Sequence, residues 1–243
     1  MRYQETRAVV LGSRPLGEAD RIIVLFAREL GRVDAVVKGV RRTKSRWGGR
    51  LEPFNICDLV LFQGRSLFTV TQAQLVAVFP RLREDRAALG VAAVACEATA
   101  GLFAEHEPHE RVYNLLRSAL READAGVAGP AIRAPLLVGV VVKLLHEAGY
   151  LPVLDRCASC GGSGLALAFS AARGGLVCER CLAEGVPITP EAIEDLRQSV
   201  ERPLAELREL PAAEHVEEAL KHVHNLYSYH TGGRLKALRF ARG

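Results

Sequence analysis

A multidomain α+β chain is predicted: a small N-terminal β-barrel, an α-helical bundle after it, and a four-cysteine knuckle inserted into the bundle. Three observations carry this prediction. The first eighty residues hold five short segments rich in Val, Ile, Leu, Phe and Thr, separated by turn residues. Beyond Pro80 the apolar residues recur at helical spacing. Two C-x-x-C pairs, CASC from Cys157 and CERC from Cys178, stand seventeen residues apart. The expected boundaries are residues 1–80 for the barrel, 81–154 for the helical domain, 155–185 for the knuckle, and 186–243 for helices that complete the bundle.

The barrel strands are RAVVLGS (7–13), RIIVLFA (21–27), RVDAVVKG (32–39), DLVLFQG (58–64) and LFTVTQAQL (67–75). Leu30-Gly31-Arg32 and Gly64-Arg65-Ser66 supply tight hairpin turns. The longest connection follows the third strand. In the helical region, Val112, Leu115, Leu116, Ala119 and Leu120 share one helix face. The small residues of 86–105 suit helices in close approach. PLLVGVVVKLLHEAG (135–149) is apolar nearly all round and is expected at the centre of the bundle, stopped by Gly149 and Pro152. Thr189-Pro190-Glu191 is a helix start, with Thr as cap and Pro at the first helical position. A last helix, about 213–230, ends at Gly232-Gly233 and leaves a short basic tail, RLKALRFARG.

With 49% apolar and 25% charged residues, the 243-residue chain has the balance of a globular protein that buries a core. Glu5 and Arg7 interrupt the opening where a signal peptide needs an apolar run, and the longest apolar run, 134–142, is too short to cross a bilayer. A soluble, cytoplasmic location is expected. Gly12 and Gly17 have phosphate-loop spacing, but Glu18-Ala19 stands where Lys-Ser/Thr is needed, which rejects a P-loop. His106, Glu107, His109 and Glu110 do not form H-E-x-x-H and read as a loop. His215, His222, His224 and His230 read as surface or capping histidines. Cys57 and Cys96 read as small core residues.

The four remaining cysteines carry the strongest local signal. Each C-x-x-C places two thiolates on one edge of a tight turn, so Cys157, Cys160, Cys178 and Cys181 supply a tetrahedral shell for one structural zinc ion. Gly161 and Gly162 let backbone amides approach the sulfurs, and residues 163–177 read as a hairpin turning at Gly174-Gly175. The competing readings are a redox dithiol or two disulfides. Two pairs flanking a hairpin in a reducing compartment argue against both. Four sulfur ligands leave no open coordination position, so the metal is expected to hold the fold and not to activate water.

Charge is unevenly spread. Residues 1–80 hold thirteen Lys/Arg and seven acids, a net of +6, while the rest of the chain nets −2. The densest stretch is KGVRRTKSRWGGR, 38–50, in the long connection after the third strand. It holds six cations, no acid and the chain's single tryptophan. A run of like charges can be a solvated loop. On an oligonucleotide-binding (OB-fold) barrel it becomes a cationic groove that tracks phosphates. Lys38, Arg41, Arg42, Lys44, Arg46 and Arg50 are the candidate DNA-contacting cations. Trp47 is either a stacking platform or an anchor beneath the loop. Tyr3, Phe62 and Phe68 are further aromatics that face either the groove or the barrel interior.

The order of these parts resembles the bacterial RecO family of DNA repair and recombination mediators. The resemblance is carried by the opening strand leading into LGEADRIIVLFARELG, then VVKGVRRTKSRWGGRLEPF, then LHEAGYLPVLDRCASCG and the downstream CERC, and it spans the whole chain. It implies a protein without a reaction to catalyse, associated with the nucleoid. Such proteins bind single- and double-stranded DNA and anneal complementary strands. They act with RecR, and often RecF, to help RecA displace single-strand binding protein from gaps. Contact with the acidic tail of single-strand binding protein is implied without a residue to assign. The alternative is a zinc-ribbon transcription or RNA-binding factor on an OB-fold, in which the tail at 234–242 matters as much as the barrel. A zinc hydrolase or deaminase would need an open metal site, and no H-x-E element is paired with a P-C-x-x-C here, as the deaminase form requires.

Overall fold

The computed structural model describes residues 2–125, 134–163, 166–211 and 213–241. Its N-terminal part is built from β1 (Tyr3–Leu16), β2 (Asp20–Ala27), β3 (Gly31–Val37), β4 (Ile56–Gln63) and β5 (Phe68–Ala77). The strands close in the order β1-β2-β3-β5-β4, with β1 pairing antiparallel to β4 and β3 parallel to β5 at Ala35 and Phe68. This is the five-stranded, OB-like barrel expected. β1 begins four residues before its expected segment and ends three residues after it, because the flanking residues still pair with β4 and β2.

Period-two alternation fills the barrel. Ala8 and Val10, Ile23 and Leu25, Val33 and Ala35, Leu59 and Leu61, and Phe68 and Val70 point inward and form one cluster. The intervening Val9 and Leu11, with Phe26 and Ile56, point outward into the main core of the helical domain. One strand therefore serves two cores, which is why Val9-Val10-Leu11 is apolar without a break.

The helical domain comprises α1 (Arg86–Leu102), α2 (Glu110–Ala125), α3 (Ala134–Glu147), α4 (Pro190–Glu201), α5 (Leu204–Glu209), α6 (Glu214–Thr231) and α7 (Leu238–Ala241). Asp85 caps α1 by accepting from the amides of Ala87 and Ala88, and Thr189 caps α4 by accepting from the amide of Ala192. α3 is buried at every position from Ala134 to Val142, as its all-round apolarity requires. α6 stops at Gly232, in the left-handed region at φ 67°. The small residues of α1 admit two close neighbours. A Cβ on Gly90 would lie 2.5 Å from Ala241 Cα, and one on Gly101 would lie 2.1 Å from the Tyr227 hydroxyl.

Two expectations are corrected here. The segment after Gly233 is not a free tail: Leu235, Ala237, Leu238 and Ala241 are buried against the bundle, and Glu97 accepts from the amides of Lys236 and Ala237. Spaced apolar residues among the cations drive this docking. His222 is a core residue and not a surface one, lying under Phe169 with ring centroids 5.3 Å apart. The 106–110 cluster joins the domains. The His106 amide donates to the Arg32 carbonyl, Arg32 pairs with Glu105, and Arg28 pairs with Glu110.

Between α3 and α4 lies a three-stranded sheet of β6 (Ala166–Ser170), β7 (Gly175–Cys178) and β8 (Val186–Pro187), ordered β7-β6-β8. The hairpin turns through Ala171–Gly174, with Gly174 at φ 73° and its amide bonded to the Ala171 carbonyl. The third strand lies just past residue 185.

Candidate nucleic-acid interface and metal centre

The chain between β3 and β4 has no regular structure, yet it is tied to the barrel at several points. Gly39, at φ 68°, turns the backbone out of β3, and its amide donates to Asp20 Oδ1 at 2.7 Å. The Arg41 amide donates to the Ala19 carbonyl at 3.0 Å. Trp47 is 4% exposed and packs with the barrel's interior cluster, its indole Nε1 donating to the Lys38 carbonyl at 2.9 Å. Asn55 is buried and its Nδ2 donates to the carbonyls of Gly49 and Arg50 at 2.8 and 3.1 Å. The buried Cys57 thiol also donates to the Arg50 carbonyl, and burial pushes its pKa up to about 11. A segment whose backbone is held this way presents its side chains from a fixed platform.

Those side chains are cationic. Lys38, Arg41, Arg42, Lys44, Arg46 and Arg50 are all exposed. Among the described residues, none of the six lies within ion-pair distance of a carboxylate. Three of them have local contacts. Arg41 donates to the Gly17 carbonyl, Arg50 to the carbonyls of Arg46 and Trp47, and the Arg46 guanidinium sits 4.4 Å from the Trp47 ring centroid. These bonds orient the guanidinium groups and leave their charge uncompensated.

Five arginines elsewhere on the barrel behave differently. Arg7 pairs with Asp58 at 2.7 Å, Arg14 with Asp34 at 3.0 Å, Arg21 with Glu52 at 3.4 Å, Arg32 with Glu105 at 3.2 Å, and Arg28 with Glu110. The hydrogen bonds from Arg7 hold the Asp58 carboxyl below the usual carboxylate range. Arg2 and Arg65, the other two barrel cations, are exposed and have no carboxylate within ion-pair distance among the described residues, so the loop holds six of the barrel's eight uncompensated cations. Of the further aromatics, Phe68 points into the barrel interior, whereas Tyr3 is 60% exposed and meets Phe62 edge-on at 5.1 Å.

The four cysteines converge. The sulfur atoms of Cys157, Cys160, Cys178 and Cys181 all lie within 4.8 Å of one another, an arrangement that can hold a metal ion. A tetrahedral ion with Sγ ligands at about 2.3 Å sets S···S separations of roughly 3.8 Å. Cys160 and Cys178 Sγ are 3.8 Å apart, and neither is in a disulfide. The amides of Cys160 and Cys178 donate to Cys157 Sγ at 3.5 and 3.4 Å, and they hold the Cys157 thiol down to about 6. Gly161, at φ 72°, allows the turn that brings the first pair together, closed by its amide on the Cys157 carbonyl.

Sequence reasoning named the loop cations and the four cysteines but missed the groups that fix the loop. Asp20 and Asn55 lie on either side of it in sequence, and both are polar residues at the edges of apolar strands. A polar residue that must be buried beside a glycine-rich loop was the available signal.

Two family models match the chain. Recombination protein O N terminal covers residues 1–79, and Recombination protein O C terminal covers residues 83–239. Several proteins named DNA repair protein RecO are similar over most of their length. The one from Rubrobacter xylanophilus is 37% identical over 233 residues, covering 92% of this chain and 90% of its own. That of Cutibacterium acnes is 39% identical over 184 residues, covering 74% and 75%. That of Frankia casuarinae is 42% identical over 179 residues, covering 73% and 72%.

Proposed function

The chain belongs to the RecO family of DNA repair proteins, and from that premise we propose that its 38–50 loop is the main DNA contact. The protein binds single- and double-stranded DNA there and anneals complementary strands. With RecR, and with RecF, it assists RecA onto strands coated by single-strand binding protein. The observation that carries the DNA-binding reading is the contrast between six loop cations without a carboxylate partner and the other seven barrel arginines, of which five have one. Unpaired cations release counterions when they meet phosphates, whereas paired ones must first break an ion pair.

Lys38, Arg41, Arg42, Lys44, Arg46 and Arg50 meet the backbone phosphates. Trp47 holds the loop from beneath, because a ring that is 4% exposed offers no face to a base. Phosphate contacts carry no sequence information, which suits a repair protein acting throughout a genome. A cationic surface that lowers the repulsion between two strands promotes their pairing. No residue is assigned a catalytic step.

The four-cysteine cluster takes one zinc ion, held by Cys157, Cys160, Cys178 and Cys181. All-thiolate ligation suits this ion; the thiolate form that ligation needs is already favoured at Cys157, whereas Cys181 is pushed up to about 11 and must give up its proton to the metal. The zinc is structural: it joins the two C-x-x-C turns around the hairpin.

The test is the annealing rate of two complementary DNA strands, each coated with single-strand binding protein, with and without the chain. Acceleration is expected. No acceleration despite tight binding to bare DNA would remove the annealing role and leave a DNA-binding barrel. The same preparation challenged with RNA addresses the other reading. A transcription or RNA-binding factor would prefer RNA, or one DNA sequence, over mixed single strands.

A further inference from the structure

Two grooves lead away from the basic loop and meet at Phe79. The first, about 610 Å³, is bounded by Gly49 and Arg50 of the loop and by Val78 and Arg83. The second, about 480 Å³, lies between Val76 and Phe79 on the barrel side and Tyr113 and Arg117 of α2. Both are of a size that takes small-molecule fragments. Leu75 and Val76 at the end of β5 and Val78 just beyond it are 39%, 42% and 50% exposed, an apolar stretch left uncovered where the strand leaves the barrel. Arg83 and Arg117 are exposed and, among the described residues, have no carboxylate within ion-pair distance. The track thus combines exposed apolar surface with cations that have no carboxylate partner and one exposed carboxylate, Glu84, beside Arg83; its first cation, Arg50, already belongs to the loop.

One group on this track is hard to explain in the isolated chain. Tyr113 lines the second groove, and its hydroxyl, closed off from solvent, has no hydrogen-bond partner among the described residues. Tyr113 itself is 1% exposed. Buried hydroxyls nearly always have a partner, so one without a partner at the wall of a groove points to a ligand acceptor.

We propose that the two grooves form one track, along which a single nucleic-acid strand leaving the loop crosses Phe79 and is held by Arg83, Arg117 and the Tyr113 hydroxyl. The proposal rests on the loop being the primary DNA contact. Bases have flat apolar faces that lie against Val78 and Phe79, while the phosphates between them meet the arginines. An acidic peptide would satisfy the same arginines. It would not use the continuity with the six loop cations, and this continuity favours a strand.

The experiment compares two lengths of oligothymidylate, about 6 and about 20 nucleotides, the shorter filling only one site and the longer able to run beyond it. Affinity is read by fluorescence anisotropy for the wild type, the Arg83→Glu/Arg117→Glu variant, Tyr113→Phe, and a loop variant, Arg41→Ala/Arg42→Ala/Lys44→Ala. The groove variant is expected to bind the short oligomer as the wild type does. It should lose tenfold or more on the long one, and its salt slope on that oligomer should fall by about 1.4. Tyr113→Phe removes a hydroxyl with no internal partner, so it should melt as the wild type and still weaken the long oligomer a few-fold. The loop variant should weaken both lengths.

Unchanged long-oligomer binding by the groove variant would overturn the track. So would equal loss at both lengths, which would place Arg83 and Arg117 in the primary site. Loss of binding to a fluorescent polyglutamate peptide, with both oligomers unaffected, would assign the groove to an acidic peptide and overturn it as well. If the loop variant bound both lengths normally, the loop reading itself would fall, a result distinct from any of these.

Discussion

The sharpest consequence of the loop geometry concerns its response to salt. Six exposed cations, each releasing about 0.7 counterion on meeting a single strand, give a slope of roughly −4 in log K against log salt. Raising salt from about 50 to about 200 mM should then weaken binding about 300-fold. The perturbation of choice is Arg41→Ala/Arg42→Ala/Lys44→Ala, because it spares the loop's supports. Arg46 stacks on Trp47 and Arg50 ties two carbonyls, whereas of the three replaced residues only Arg41 makes a side-chain hydrogen bond, an exposed one to Gly17. Surface truncations of this kind change stability by about 0.5 kcal/mol or less each. Three lost contacts leave a slope of roughly −2, so the same rise in salt should weaken the variant only about 20-fold. Anisotropy titrations of labelled single-stranded DNA at several salt concentrations measure both slopes, and a thermal melt checks folding. A variant that folds normally and keeps the parental slope would refute the assignment and move the phosphate contacts off the loop.

Other outcomes follow from other parts of the molecule. Cys157→Ser should release the metal on gel filtration and lower the melting temperature; full stability with no metal bound to the parent would remove the structural role. Trp47→Ala should cost about 3–5 kcal/mol by emptying the space under the loop, measured by urea denaturation, and a cost under about 1 kcal/mol would show that the ring is not an anchor. Gly90→Val should push Ala241 away and undock α7, exposing the C-terminal segment to protease; equal resistance to digestion would contradict the close approach. His222 has its pKa lowered chiefly by desolvation. The unfolded chain therefore takes up this proton first as pH falls, so stability present above about pH 6.5 should decline below it. His222→Gln should flatten that decline, and an unchanged stability profile between pH 7 and 5 would assign it to other groups.

The barrel was legible because each strand needs only period-two alternation, and a closed five-stranded sheet leaves little freedom in how that alternation is satisfied. The central helix was legible for a similar reason, since residues 134–142 have no polar side chain to turn outward. The cysteine cluster could be read from spacing alone. What escaped was whatever depends on a partner distant in sequence. The tail looked basic because its cations are frequent, but its fate was decided by Leu235, Leu238 and Ala241 meeting a small-residue strip on α1. His222 looked like an exposed helical histidine until Phe169, more than fifty residues earlier, was placed over it. Trp47 had two readings because a loop has no periodicity to say which way a ring points.

The cysteine hairpin has a further consequence. Its strands carry Phe169 and Leu176 into the bundle's core, while Ala168 and Val177 face the sulfur cluster. Its turn is stitched to the incoming chain, with the Val153 amide on the Gly174 carbonyl and the Leu176 amide on the Val153 carbonyl, both at 2.9 Å. Gly175 lies so close to Val153 that a Cβ would sit 2.4 Å from its carbonyl oxygen. A module fastened to the bundle along one face and to the incoming chain at its tip has no free hinge about which to swing. Any load placed on it passes straight into α3 and α6, so it acts as a buttress moving with the bundle, and its amides should exchange with deuterium as one cooperative unit with those helices.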